Sequence, residues 1–168
     1  VVKQDTKLIE KYKEILSQSK EKIIEYASQS IKFLKSFKVK AIVAACGTVS
    51  SYIDESSELK DLYGVINPTC EAAVNSSHNM KIGVMGTSAT VKSNSYLKKI
   101  HSLSPAAKVF QVACPLLVPI IESGKINASK TQLLEILKNY TENLIYNDID
   151  TLILGCTHYP IIENIISE

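Results

Sequence analysis

No stretch of this sequence is apolar for the roughly 18–20 residues that a helical membrane span requires. The amino terminus, VVKQDTKLIEKYK, has neither the apolar core nor the cleavage site of a secretory signal. These absences point to a cytoplasmic protein with no membrane partner. Excess charge of one sign is equally scarce. Nineteen Lys and Arg against 17 Asp and Glu leave a net charge of +2, too little to argue for nucleic acid. The lysines are spread along helical stretches, as on solvated faces, and form no basic block. The cysteines are few and far apart, at Cys46, Cys70, Cys114 and Cys156, with no C-x-x-C and no His/Cys cluster at zinc-finger spacing. That pattern argues against a structural metal, and nothing supports the oxidising compartment that disulfides need. What is present describes a globular chain: 168 residues, 45% hydrophobic and 21% charged, enough for one domain or two small ones.

Two periodicities alternate along the chain. From about Ser19 to Phe37, Ile23, Ala27, Ile31 and Leu34 fall on one face at helical spacing. Ala41-Ile42-Val43-Ala44-Ala45 follows, a continuous apolar run of the kind a strand buried on both faces shows. Similar runs recur at Tyr63–Ile66, Ile82–Met85, Val109–Val112 and Thr151–Leu154. Helical stretches separate most of them. The clearest opens with a capping box at Ser129-Lys130-Thr131-Gln132 and carries Leu133, Leu134, Leu137, Leu144 and Ile145 as its apolar stripe. Such alternation predicts an α/β protein with parallel sheet. Asn67-Pro68 reads as a hinge between two sub-domains, because a residue before proline is pushed out of helix.

One internal similarity carries chemistry. Ile42-Val43-Ala44-Ala45-Cys46-Gly47-Thr48 and Leu152-Ile153-Leu154-Gly155-Cys156-Thr157-His158 both read as apolar strand, small residue, cysteine, then a turn rich in hydroxyls. Each cysteine would sit at the carboxyl end of a strand, where open α/β sheets bind ligands. The turn after it should open a helix, whose free N–H groups favour a thiolate and a bound carboxylate. A lone cysteine there serves equally as nucleophile, redox thiol or small buried residue; a matched pair shifts the balance toward chemistry. Two thiols facing one carbon from opposite sides can invert a stereocentre, one removing the α-proton and the other delivering a proton to the far face. Thr48 and Thr157 stand next to the cysteines as donors for the substrate carboxylate. Gly86-Thr87-Ser88-Ala89-Thr90 also follows a strand, and its hydroxyls and turn amides form a second anion-binding edge. It lacks the P-loop lysine and the dinucleotide glycine pattern, which excludes a nucleotide site. His158, two residues after Cys156, is placed to share a proton with it or with substrate. His78 and His101 have no companions and receive no role. Cys70 and Cys114 read as small buried thiols, and Glu122 as a carboxylate on a helix face.

In order, AACGTVSS, GVINP, IGVMGTSATVKSNSY, ACPLLVPIIESG and DTLILGCTHYP resemble the glutamate racemases of the aspartate/glutamate racemase family, with GCTHYP the most specific element. The resemblance implies two similar α/β domains of parallel strands flanked by helices, here residues 1–66 and 67–168, with the first incomplete. It implies interconversion of L- and D-glutamate for peptidoglycan synthesis, with no cofactor and no metal, by a cytoplasmic and often homodimeric enzyme. By resemblance, Cys46 is the base for the D-enantiomer and Cys156 for the L-enantiomer. Gly47, Thr48, Thr87, Thr90, Thr157 and His158 match substrate-contacting positions, His158 also assists Cys156, and Glu122 matches an auxiliary carboxylate. Three departures stand out: Gly47 where the family carries asparagine, no Asp-Ser-Gly or Pro-Tyr-Gly segment, and an end soon after Pro160. These leave open a catalytically impaired fragment that binds a ligand or partner, and a racemase of a related amino acid such as aspartate.

Overall fold

The structure, a computed structural model, describes residues 19–124, 126 and 130–168. Ser19 opens helix α1 (Lys20–Ser36) by accepting a hydrogen bond from the Lys22 N–H at 3.3 Å, which satisfies one of the N–H groups that has no partner inside the helix. Of the predicted stripe, Ala27 and Ile31 are buried and Ile23 packs against them, whereas Leu34 lies at the exposed edge. Strands β1 (Ile42–Ala44) and β2 (Leu62–Gly64) pair in parallel with Ile42 opposite Leu62 and Val43 opposite Tyr63. Between them lie helix α2 (Gly47–Ser50) and a 3₁₀ turn, Ile53–Glu55.

Side chains on a strand alternate faces, so Ile42 and Leu62 point together into the cluster of Ala27, Ile31, Tyr52 and Leu59. Val43 and Tyr63 point the other way and are 65% and 67% exposed. The expectation that the Ala41–Ala45 run is buried on both faces is therefore corrected: among the described residues only one face is covered.

The second sheet has the order β4-β3-β5, all parallel, from β3 (Lys81–Gly86), β4 (Lys108–Ala113) and β5 (Thr151–Leu154). Helices α3 (Ile66–Ser76), α4 (Ser88–Ser93), α5 (Ser95–Leu103), α6 (Leu117–Glu122), α7 (Lys130–Tyr146) and α8 (Glu163–Ile166) complete the alternation, with a 3₁₀ turn at Tyr159–Ile162. Ile82, Val84 and Ile153 pack on one side against Ile66, Cys70, Tyr96 and Ile100 of α3 and α5. Met85 packs on the other with Leu117, Ile121, Leu133, Leu137 and Leu144 of α6 and α7. Two apolar layers thus clamp β3, whose residues after Lys81 are all buried.

Three local expectations change. Asn67-Pro68 does not lie outside helix but forms part of the first turn of α3. Proline fits there because the N–H it lacks is one that the helix leaves unpaired. The run at Tyr63–Ile66 divides, its first half ending β2 and Ile66 beginning α3. In α7, Leu133, Leu137 and Leu144 are buried while Ile145 is 71% exposed, since adjacent helical residues diverge by about 100°. The proposed capping serine, Ser129, lies outside the described residues.

Asp150 fastens the strand ends remote from the cysteines. Its carboxylate accepts from the His78 and Asn79 N–H groups at 2.6 and 2.7 Å and from the Ser77 and Thr151 hydroxyls at 2.6 and 3.0 Å. These bonds, led by Ser77, hold its pKa far below the usual carboxylate range. A depressed folded pKa stabilises the fold above the unfolded value of about 3.9, and the contribution is lost as pH falls through the folded value. Asp150→Asn is expected to lower the unfolding temperature at pH 7 and to flatten its decline below pH 4. Parallel Tm–pH curves for the two proteins would count against this role.

Candidate active site

Both motif cysteines sit just beyond the carboxyl ends of strands. Cys46 follows β1 and caps α2 with an extended backbone; Cys156 follows β5 and leads through a turn into Tyr159–Ile162. Cys46 is exposed and Cys156 half-buried. The chain bonds the two sheets together close to them. Thr48 on α2 meets Thr87, the N-cap of α4, at 2.8 Å and Thr90 at 3.2 Å, and Thr87 meets Thr90 at 3.0 Å. The Ser95 hydroxyl donates to the Ser51 carbonyl at 2.8 Å. Three residues predicted separately from two motifs therefore form one hydroxyl cluster, with Thr90 fully buried beneath the other two. Each hydroxyl both donates and accepts, so the cluster can turn an O–H toward an incoming carboxylate at little cost.

The two cysteine-bearing turns meet at Gly47 and Gly155. A Cβ on Gly47 would lie 2.3 Å from the Gly155 carbonyl oxygen, so the backbones touch where any side chain would intrude. Each glycine adjoins one of the cysteines. The thiols accordingly feel one another: a charge on Cys46 raises the pKa of Cys156.

Cys156 belongs to a chain of polar contacts. Its sulfur lies 3.6 Å from His158 Nδ1, and His158 Nε2 lies 2.9 Å from Glu122 Oε1. With the carboxylate accepting from Nε2–H, Nδ1 is left as an acceptor facing the thiol. Glu122, on the last turn of α6, thus has a defined partner that its own sequence surroundings do not reveal.

The expected lowering of the thiol pKa is not met at Cys156. Burial raises it; the His158 backbone N–H lowers it in part, and charges on Cys46 and Glu122 raise it further. The helix after Cys46 has only four residues, and Cys156 leads into a 3₁₀ turn, so neither cysteine heads a long stack of aligned peptide dipoles. Thr157 is exposed in the turn between Cys156 and His158. His78 and His101 lie elsewhere, His101 Nε2 3.1 Å from the Ala107 carbonyl oxygen. Cys70 and Cys114 are buried, and burial pushes both thiols up to about 12. Among the described residues no three His, Cys, Asp or Glu side chains converge as a metal site requires, and no helix is long and apolar enough to cross a membrane. A cleft of about 770 Å³ between β2, α3 and α5, lined by Lys60, Tyr63, Asn67 and Lys98, contains none of the predicted site residues.

Parallel strands carrying paired thiols at their carboxyl ends define an α/β protein with a candidate acid–base site between two sheets. The chain belongs to the Asp/Glu/Hydantoin racemase family, whose sequence profile matches residues 7–168. It is 46% identical over 154 residues to a glutamate racemase from Sulfurihydrogenibium sp. (strain YO3AOP1), covering 89% of this chain and 58% of that protein. The crystal structure of glutamate racemase isoform RacE1 from Bacillus anthracis superposes with a TM-score of 0.81 at 36% identity, over 90% of this chain and 57% of that one. Glutamate racemase from Francisella tularensis in complex with D-glutamate gives a TM-score of 0.81 at 34% identity, with the same coverage. The chain thus spans 58% of the length of the first of these relatives.

Proposed function

We propose that this chain carries glutamate racemase chemistry, interconverting L- and D-glutamate without a cofactor and supplying D-glutamate for peptidoglycan in the cytoplasm. The observation that carries the reading is the Cys156–His158–Glu122 chain, joined through the Gly47–Gly155 contact to a second thiol at the matching place on another strand. A Cys46 thiolate removes the α-proton of D-glutamate, and the C–H electron pair stays on carbon, delocalised into the carboxylate. The Cys156 S–H delivers a proton to the opposite face, and that pair re-forms the C–H bond. Cys156 is left as thiolate and Cys46 as thiol; the reverse passage converts L-glutamate. His158 takes and returns the Cys156 proton, steadied by Glu122. The threonine cluster, with Thr157, holds the substrate carboxylates. On the same reading the chain divides near residue 66 into two domains and forms a homodimer.

Incubation with L-glutamate in deuterium oxide tests this. Loss of the α-proton signal together with growth of D-glutamate is the expected result. Absence of exchange with either enantiomer at millimolar protein favours the impaired fragment, and exchange of aspartate in preference to glutamate favours the related substrate.

A further inference from the structure

We propose that Tyr96 is a ligand-contacting residue, its phenolic hydroxyl donating a hydrogen bond to a carboxylate oxygen of the amino acid held between Cys46 and Cys156. The inference rests on the racemase reading and extends it to a residue that the sequence motifs do not single out. Tyr96 lies on α5 and is 2% exposed, its ring packed with Ile66, Cys70, Ile82 and Ile100. The hydroxyl end leaves that apolar cluster. Its ring carbons lie 3.3 and 3.6 Å from where a Gly155 Cβ would stand, and the oxygen 3.7 Å from where a Gly47 Cβ would stand. The tip of the phenol therefore reaches the glycine contact that joins the two cysteine-bearing turns.

There no group among the described residues pairs with the hydroxyl. The Cys70 thiol donates to the Tyr96 backbone carbonyl at 3.9 Å and not to the phenol. The oxygen is not sealed off either: among the described residues the one fully buried side-chain nitrogen or oxygen without a partner is Gln111 Oε1, so the phenol tip is open to a bound molecule. Phenylalanine would fill the same apolar space, so packing of the ring does not explain the oxygen. Glycine at position 47 matters here, since a side chain would begin beside the hydroxyl. The oxygen is also a dependable donor. Burial, reinforced by the neighbouring thiols, pushes the phenol up to about 12, so it keeps its proton wherever a catalytic thiolate forms. An O–H aimed at an ionised carboxylate makes a charge-assisted bond, the stronger kind.

The test compares the purified chain with Tyr96→Phe, by calorimetric titration with D-glutamate and L-glutamate and by thermal unfolding. The variant should bind about ten- to a hundredfold more weakly, with an unfolding temperature no lower than the parent's because no intramolecular bond is lost. Equal affinities in the two proteins would overturn the inference and leave the racemase reading standing. Weaker binding accompanied by a lowered unfolding temperature would assign the hydroxyl a structural role and overturn it too. A parent chain that binds neither enantiomer would remove the racemase reading and this contact with it.

Discussion

Cys156→Ala is expected to reduce conversion of L- to D-glutamate by about 10²–10⁴-fold or more, the range by which a positioned acid or base accelerates proton transfer. Both directions should fail, because in the proposed mechanism the same side chain is the base for one enantiomer and the acid for the other. Glu122→Gln should act more mildly. It preserves the shape of the contact at His158 Nε2 but removes the negative charge that steadies a protonated imidazole, so the Cys156–His158 pair loses support when the proton moves onto His158. The pH profile carries further information. Burial raises the Cys156 thiol, so its thiolate fraction should still be climbing above the ordinary thiol value of about 8.5. The rate from L-glutamate should climb with it until other groups titrate. Coupled-enzyme measurement of D-glutamate against pH, for parent and both variants, checks all three statements. An unchanged rate in Cys156→Ala would end the two-cysteine reading.

Gly47→Ala is expected to destabilise the protein by about 1–3 kcal/mol, the usual cost of forcing extra volume into a packed contact. A Cβ at 47 would lie 2.3 Å from the Gly155 carbonyl oxygen. That atom belongs to the backbone beside β5 and cannot swing away as a long side chain would, so relief requires α2 and its sheet to move off β5. The movement would stretch the Thr48–Thr87 and Ser95–Ser51 bonds as well. Gly47→Asn is the more telling companion. Resemblance alone implies that an asparagine amide at this position improves substrate contact, whereas the backbone contact implies that its Cβ must first part the two sheets. Lower stability and no gain in glutamate affinity in Gly47→Asn is the outcome that the structure supports. Denaturant unfolding and calorimetry on both variants measure it, and unchanged stability in Gly47→Ala would show that the glycine contact is loose.

The strands and the class of fold were legible because their signal is local. Short apolar runs at Ile82–Met85, Val109–Val112 and Thr151–Leu154 each form a parallel strand, with β3 the one buried along its length. The position of Cys156 just past a strand end followed from the last of these runs, and that of Cys46 from Ala41–Ala45. Burial was less legible. Val43 belongs to an apolar run yet is exposed, because the side chain's own sequence does not say whether a layer covers that face. Asn67-Pro68 broke no helix, since the penalty of proline depends on which turn it occupies.

The sequence by itself determined which chemical groups are available and at which ends of which strands they stand: two thiols, four threonine hydroxyls, a histidine two residues after a cysteine. Only the tertiary structure decided their partners. Glu122 reaches His158 across 36 residues of chain, Thr48 joins Thr87 and Thr90 from another sheet, and the Tyr96 hydroxyl arrives at the Gly47–Gly155 contact from α5. Burial at Cys156 overrode the expectation of an acidic thiol. The physical reason is common to all of these. Strand and helix signals are carried by neighbours in sequence, whereas desolvation, hydrogen bonding and Coulomb interaction depend on neighbours in space.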